Sequence, residues 1–110
     1  MENSNSLFLA LNNTDIQQLD INGNPINGTR IYAEDFKKGK TTVLRFIDGF
    51  LDGDLFDIKG NLIMQRPAVD SDGHQEYWRK NKIHRDGEAP AVYSRGFTEE
   101  EWWEYGKKKK

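Results

Sequence analysis

A recurrence in the second half of the chain limits the possible folds more than any other feature. Residues 60–78 read GNLIMQRPAVDSDGHQEYW and residues 81–103 read NKIHRDGEAPAVYSRGFTEEEWW. Pro67-Ala68-Val69 returns as Pro90-Ala91-Val92 at a shift of 23, and the same shift takes Ser71 to Ser94 and Gly73 to Gly96. After a two-residue insertion Glu76-Tyr77-Trp78 lies opposite Glu101-Trp102-Trp103, and a two-residue difference before the prolines sets Gly60-Asn61-Leu62 against Asn81-Lys82-Ile83. Tandem units of 20 to 50 residues stack so that each shields its neighbour. The front half repeats more faintly, with Ile21-Asn22-Gly23 and Ile47-Asp48-Gly49.

Turn chemistry says what the unit is. Asn-Gly or Asp-Gly stands at 22–23, 27–28, 48–49, 52–53, 72–73 and 86–87. Between short apolar runs this pair is the strongest local hairpin signal, because glycine takes a positive φ without steric cost. Six such signals imply a mainly β fold, a series of antiparallel ribbons with little or no helix. Thr98-Glu99-Glu100-Glu101 has the form of a helical capping box, yet Gly106 would stop that helix after about two turns, and the matching GHQEYWRKN has no cap. Both are read as strands, and segment 30–38 as a strand followed by a turn. In a strand the adjacent Trp102 and Trp103 must face opposite ways.

The 110 residues suit a single domain. Leu, Ile, Val and Phe together number 25, so the core is thin and depends on the area buried by three Trp and four Tyr. The absence of cysteine excludes disulfides and Cys-ligated metals. A net charge of −2 gives no broad footprint for nucleic acid, and the closing lysines read as a frayed, solvated tail. The start, MENSNSLFLALNN, has neither a basic leader nor an apolar run long enough to span a bilayer, so the expected compartment is the cytoplasm.

Catalytic motifs fail on their missing partners. His84-Arg85-Asp86 spells the start of a kinase catalytic loop, but the metal-binding Asn five residues after the Asp is Ala91, and no glycine-rich loop or Asp-Phe-Gly triplet accompanies it. The triplet is a connector between repeat strands. A serine triad would have to recruit His74 or His84 with Ser71 or Ser94, and their spacing does not favour it. An EF-hand register on Gly53 puts Phe50 and Lys59 where ligands belong. A zinc site would need His74, His84 and a carboxylate, and no glycine opens a helix that could cradle phosphate. No cofactor, metal or catalytic residue is assigned.

DGFLDGDLFDIKGNLI, residues 48–63, resembles the MORN repeat and its bacterial variant, in which an aromatic-bearing strand lies between glycine turns. YWRKNKIHRDGEAPAV with EWWEYGKK resembles a related bacterial and viral array, although no Gly follows Asn81 and Ala89 interrupts Gly-Pro. The resemblance covers about residues 47–107. It implies successive hairpins building an elongated antiparallel sheet with the aromatics of neighbouring units stacked on one face; outside it, residues 1–46 read as divergent hairpins and 108–110 as a frayed basic tail.

Fold alone does not give function. Exposed aromatics concentrate binding energy at interfaces, so the expectation is a non-enzymatic module that binds a protein through Tyr77, Trp78, Arg79, Trp102 and Trp103. Size and format suit a small bacterial or phage inhibitor or immunity protein that works by occlusion. The alternatives are single-stranded nucleic-acid binding, with the same aromatics stacking bases beside Lys80, Lys82 and the tail, and a small enzyme using His84.

Overall fold

Asp48-Gly49, Lys80-Asn81 and Tyr105-Gly106 take positive φ at both residues, with values of 53° and 81°, 47° and 67°, and 45° and 83°. Such pairs close two-residue hairpins, whose backbone twist matches that of the strands they join. They occur in a computed structural model that describes residues 17–35 and 40–110; the opening segment 1–16 and residues 36–38 of the segment expected to be a strand followed by a turn lie outside the described residues.

Every regular element among the described residues is a strand: β1 (Gly28–Asp35), β2 (Lys40–Ile47), β3 (Phe50–Leu51), β4 (Asp54–Phe56), β5 (Leu62–Gln65), β6 (Val69–Ser71), β7 (His74–Glu76), β8 (Trp78–Arg79), β9 (Lys82–Ile83), β10 (Val92–Ser94), β11 (Glu99–Glu101), β12 (Trp103–Glu104) and β13 (Lys107–Lys108). The main sheet runs β1-β2-β6-β7-β10-β11, with β3 also on β2, and three two-stranded ribbons, β4-β5, β8-β9 and β12-β13, branch from it. All pairing is antiparallel. The mainly β, hairpin-built fold is therefore as the turn chemistry implies. Its described extents of 39 × 37 × 28 Å make it nearly as broad as it is long.

The three tight hairpins share one register: Phe46 faces Leu51, Trp78 faces Ile83 and Trp103 faces Lys108. In each, the N–H just beyond the second strand donates to the carbonyl one residue before the first member of that pair: Asp52 to Arg45, His84 to Tyr77 and Lys109 to Trp102. Each turn also docks on the preceding unit, since the N–H groups of Gly49, Asn81 and Gly106 donate to the carbonyls of Ile26, Leu51 and Ile83. Asn81 thus occupies the glycine position itself, where Asn is among the few other residues that tolerate the left-handed region. The two Pro-Ala-Val stretches are equivalent too: Ala68 and Ala91 donate to the carbonyls of Glu76 and Glu101 at 2.8 Å, and all four Ala and Val side chains are fully buried.

Leu44, Val69, Glu76, Val92 and Glu101 form one row across the buried face. Two buried glutamates in a thin core need partners. Each has the indole two residues on: Trp78 Nε1 donates to Glu76 and Trp103 Nε1 to Glu101, both at 2.9 Å, and Glu76 also bonds His74 at 2.6 Å. At the equivalent place in the first hairpin stand Leu44 and Phe46, so carboxylate and indole N–H are absent together. Trp103→Phe and Glu101→Leu are each expected to cost about 2 kcal/mol, and the double variant less than their sum by about 1 kcal/mol or more, read from urea melts in a double-mutant cycle.

Three expectations change. Lys108–Lys110, expected to fray, are paired: Lys108 lies in β13 and Trp102 N–H donates to the Lys110 carbonyl at 2.8 Å. Of the six glycine pairs, those at 48–49 and 72–73 close turns between paired strands and that at 22–23 lies in the loop closed by the Leu19–Pro25 bridge, whereas Asn27-Gly28 leads into β1, Asp52-Gly53 is a buried junction and Asp86-Gly87 lies in the β9–β10 connection. The boundary expected after residue 46 falls inside β2, which the sheet crosses without a break. Among the described residues no helix is long and apolar enough to cross a membrane.

Candidate functional site

Among the described residues the β4–β5 ribbon pairs only with itself, and it leaves the sheet at Gly53. Its tip, Asp57-Ile58-Lys59-Gly60-Asn61, is held by the Asp57 carboxylate, which accepts the N–H groups of Lys59 and Asn61 at 2.9 and 2.8 Å. These bonds keep Asp57 below its ordinary range, chiefly through the Asn61 N–H. Asp20-Ile21-Asn22-Gly23-Asn24 makes the same turn with the same bonds, from Asn22 and Asn24 to Asp20. Asp-Ile-x-Gly-Asn is thus a second recurrence, at a shift of 37, that the glycine pairs alone do not disclose.

At the base of this arm lies a cluster of charges. Arg79, on β8, donates from Nε to Asp54 at 2.5 Å and through both terminal nitrogens to Asp86 at 2.9 and 2.7 Å. Two-pronged pairing of this kind is strong and orienting. It raises the Arg79 guanidinium above its usual value, with Asp86 the largest cause. Asp52 is buried and accepts the N–H groups of Asp54 and Lys80 at 2.9 and 3.1 Å; burial pushes its carboxyl up, against those two bonds.

His84 sits beside the cluster, stacked on Tyr105 with ring centroids 3.9 Å apart. Its Nδ1 accepts the Tyr105 N–H at 3.1 Å, which places the ring proton on Nε2, 2.7 Å from Asp86. Both ring nitrogens are engaged within the fold. Arg85, its neighbour, lies 3.9 Å over the Tyr77 ring and donates to the Pro90 carbonyl at 3.0 Å. The His-Arg-Asp triplet therefore braces the connection between units.

Asp86 is pushed down from 3.8 to about 2, first by the bonds from Arg79 and then by that from His84. A carboxyl depressed by folding adds stability above its ordinary value, and that stability is lost as pH falls towards the folded value. Stability of the wild type should therefore fall between about pH 4 and pH 2, and Asp86→Asn should flatten that part of the profile. Chemical denaturation across this range measures it.

Above the cluster opens a groove of about 670 Å³, lined by Ile47, Asp48, Phe50, Asp52, Asp54, Phe56, Leu62, Arg79, Lys80 and Asp86. The volume falls within the range of about 300–1,000 Å³ typical of ligand sites. Its walls come from the turn of the first tight hairpin, the arm and the turn of the second.

The residues singled out by sequence are divided by the fold. Trp78 and Trp103 are core, and Tyr77 is buried beneath Arg85. Trp102 is half-buried, its Nε1 donating to the Glu88 carbonyl at 2.9 Å and its ring facing Lys110 at 5.1 Å. Trp102 falls between β11 and β12, so the strand expected to hold both tryptophans is interrupted there, and the two differ in burial, half-buried against fully buried. Arg79 alone of the five lines the groove. The surface that sequence reasoning overlooked is the arm, where Phe56, Leu62, Ile63 and Met64 are exposed at 47, 43, 59 and 49 %. Its signal was the apolar run Leu62-Ile63-Met64, too short and unpatterned to assign a face.

Among the described residues no cluster of three or more His, Asp or Glu side chains is arranged to hold a metal ion. Comparison of the chain with protein-family models, with curated proteins and with solved structures found no match.

Proposed function

We propose that this chain is a non-enzymatic protein-recognition module of MORN-like hairpin units that acts by covering part of its partner. One observation carries this reading: the β4–β5 arm holds four large apolar side chains in solvent beside a groove with apolar walls. Contiguous exposed apolar surface on a small domain marks an interaction site. The commitment of both His84 nitrogens to internal bonds supports a non-catalytic role for that residue. A small inhibitor or immunity protein working in the cytoplasm by occlusion fits this format.

The test is co-expression with in-cell cross-linking. A stoichiometric protein partner should be recovered with the wild type and lost with Ile63→Ser/Met64→Ser, two exposed positions outside the groove lining. Single-stranded nucleic acid is the rival, favoured by Trp102 beside Lys109 and Lys110. Binding to a labelled oligonucleotide that falls steeply with added salt and is abolished by Trp102→Ala would select the rival instead.

A further inference from the structure

The groove has a charge pattern that specifies what enters it. Four carboxylates line it, those of Asp48, Asp52, Asp54 and Asp86, against two cations, Arg79 and Lys80. Arg79 is already spent on Asp54 and Asp86. Among the described residues neither Asp48 nor Asp52 has an ion-pair partner, so the lining carries two net negative charges. Asp54 adds an independent sign: it is only 4 % exposed and its Oδ1 is buried without a hydrogen-bond donor. Buried polar atoms are nearly always satisfied, and an orphan acceptor at a surface groove points to a donor supplied from outside. Among the described residues, Lys80 is the one cation of the lining left for an anionic ligand.

The remaining lining is apolar: Ile47 and Phe50 on one wall, Phe56 and Leu62 on the other. A long cationic side chain fits this combination, since its methylene stem packs on apolar walls while its head reaches charge. We infer that the groove receives a segment of the partner protein carrying one lysine or arginine flanked by large apolar side chains. This rests on the protein-recognition reading and assigns the recognition chemistry to the groove. Charge complementarity at such a site rejects acidic segments as well as favouring basic ones.

Panning a phage-displayed random heptapeptide library on the full chain tests it. The recovered pool should be enriched in sequences with Lys or Arg between Leu, Ile, Phe or Trp. A synthetic peptide from that pool should bind at least about tenfold more weakly to Asp52→Asn and to Phe56→Ser. Replacing its basic residue by Gln should weaken it similarly. Thermal melts confirm that each variant is folded, and exposed Leu62→Ser replaces either one that is not. An empty pool, a pool without basic enrichment, or peptides indifferent to the groove variants overturn the inference. If that happens while Ile63→Ser/Met64→Ser still releases the cross-linked partner, protein recognition stands and only the basic-apolar chemistry falls.

Discussion

Gly53→Ala is expected to destabilise the protein by about 3 kcal/mol or more, at the upper end of what overpacking costs. An added Cβ would lie 1.9 Å from the Arg66 carbonyl oxygen, 2.8 Å from its carbon and 3.1 Å from the Ala68 nitrogen. All three are backbone atoms, and the surrounding bonds prevent them from yielding. Gly53 O accepts Arg66 N–H at 3.1 Å and Arg66 Nε at 3.2 Å, Gly53 N–H donates to Trp78 O at 3.2 Å, and Ala68 N–H donates to Glu76 O at 2.8 Å. A single methyl group thus pushes on the arm, the second unit and the buried Ala-Val strand together.

Gly60→Ala is the control. That residue has φ of 85° with nothing within 4 Å of an added Cβ, so only the left-handed backbone resists, at about 1–2 kcal/mol. For a domain near 100 residues each kcal/mol shifts the melting temperature by about 4–8 °C. Gly53→Ala should therefore melt more than about 10 °C below wild type, and clearly below Gly60→Ala. Equal losses would mean that backbone conformation, not the close approach to Arg66, accounts for the glycine.

The second large effect is expected from Arg79→Ala, at about 3–5 kcal/mol, because it strands a buried carboxylate. Asp54 would lose its one ion-pair partner among the described residues, and Asp86 both prongs of its pair with Arg79. Adding Asp54→Asn should recover part of the loss by removing the charge that burial penalises. Arg79→Lys should fall in between, since one ammonium cannot reproduce a fork spanning two carboxylates. Urea denaturation near pH 7 reads all three. The deficit of Arg79→Ala should shrink as pH falls below about 4, where Asp86 without Arg79 takes up its proton near its ordinary value.

The legible parts of this site were those fixed by neighbours in sequence. Asp48-Gly49 announced its turn and with it the β2–β3 hairpin that forms one wall of the groove. Lys80-Asn81 gave no comparable warning, because its turn is recognised only when Trp78 is seen opposite Ile83 as Phe46 is opposite Leu51. Asp52-Gly53 has the letters of a turn and is instead the place where three backbone segments meet. Its glycine is required by space, not by φ.

The sequence by itself determined the antiparallel ribbons, the equivalence of the two Pro-Ala-Val strands and the absence of any cysteine-based chemistry, because turn preference and side-chain alternation act within a few residues. Only the tertiary structure decided which tryptophans are buried, that the arm pairs with no other described strand, and that Asp54, Arg79 and Asp86 meet around one groove. Arg79 is 25 residues from Asp54. Charges that far apart in the chain are brought together by the order in which the ribbons pair, and that order is set by how the whole thin core closes around its few aromatic rings.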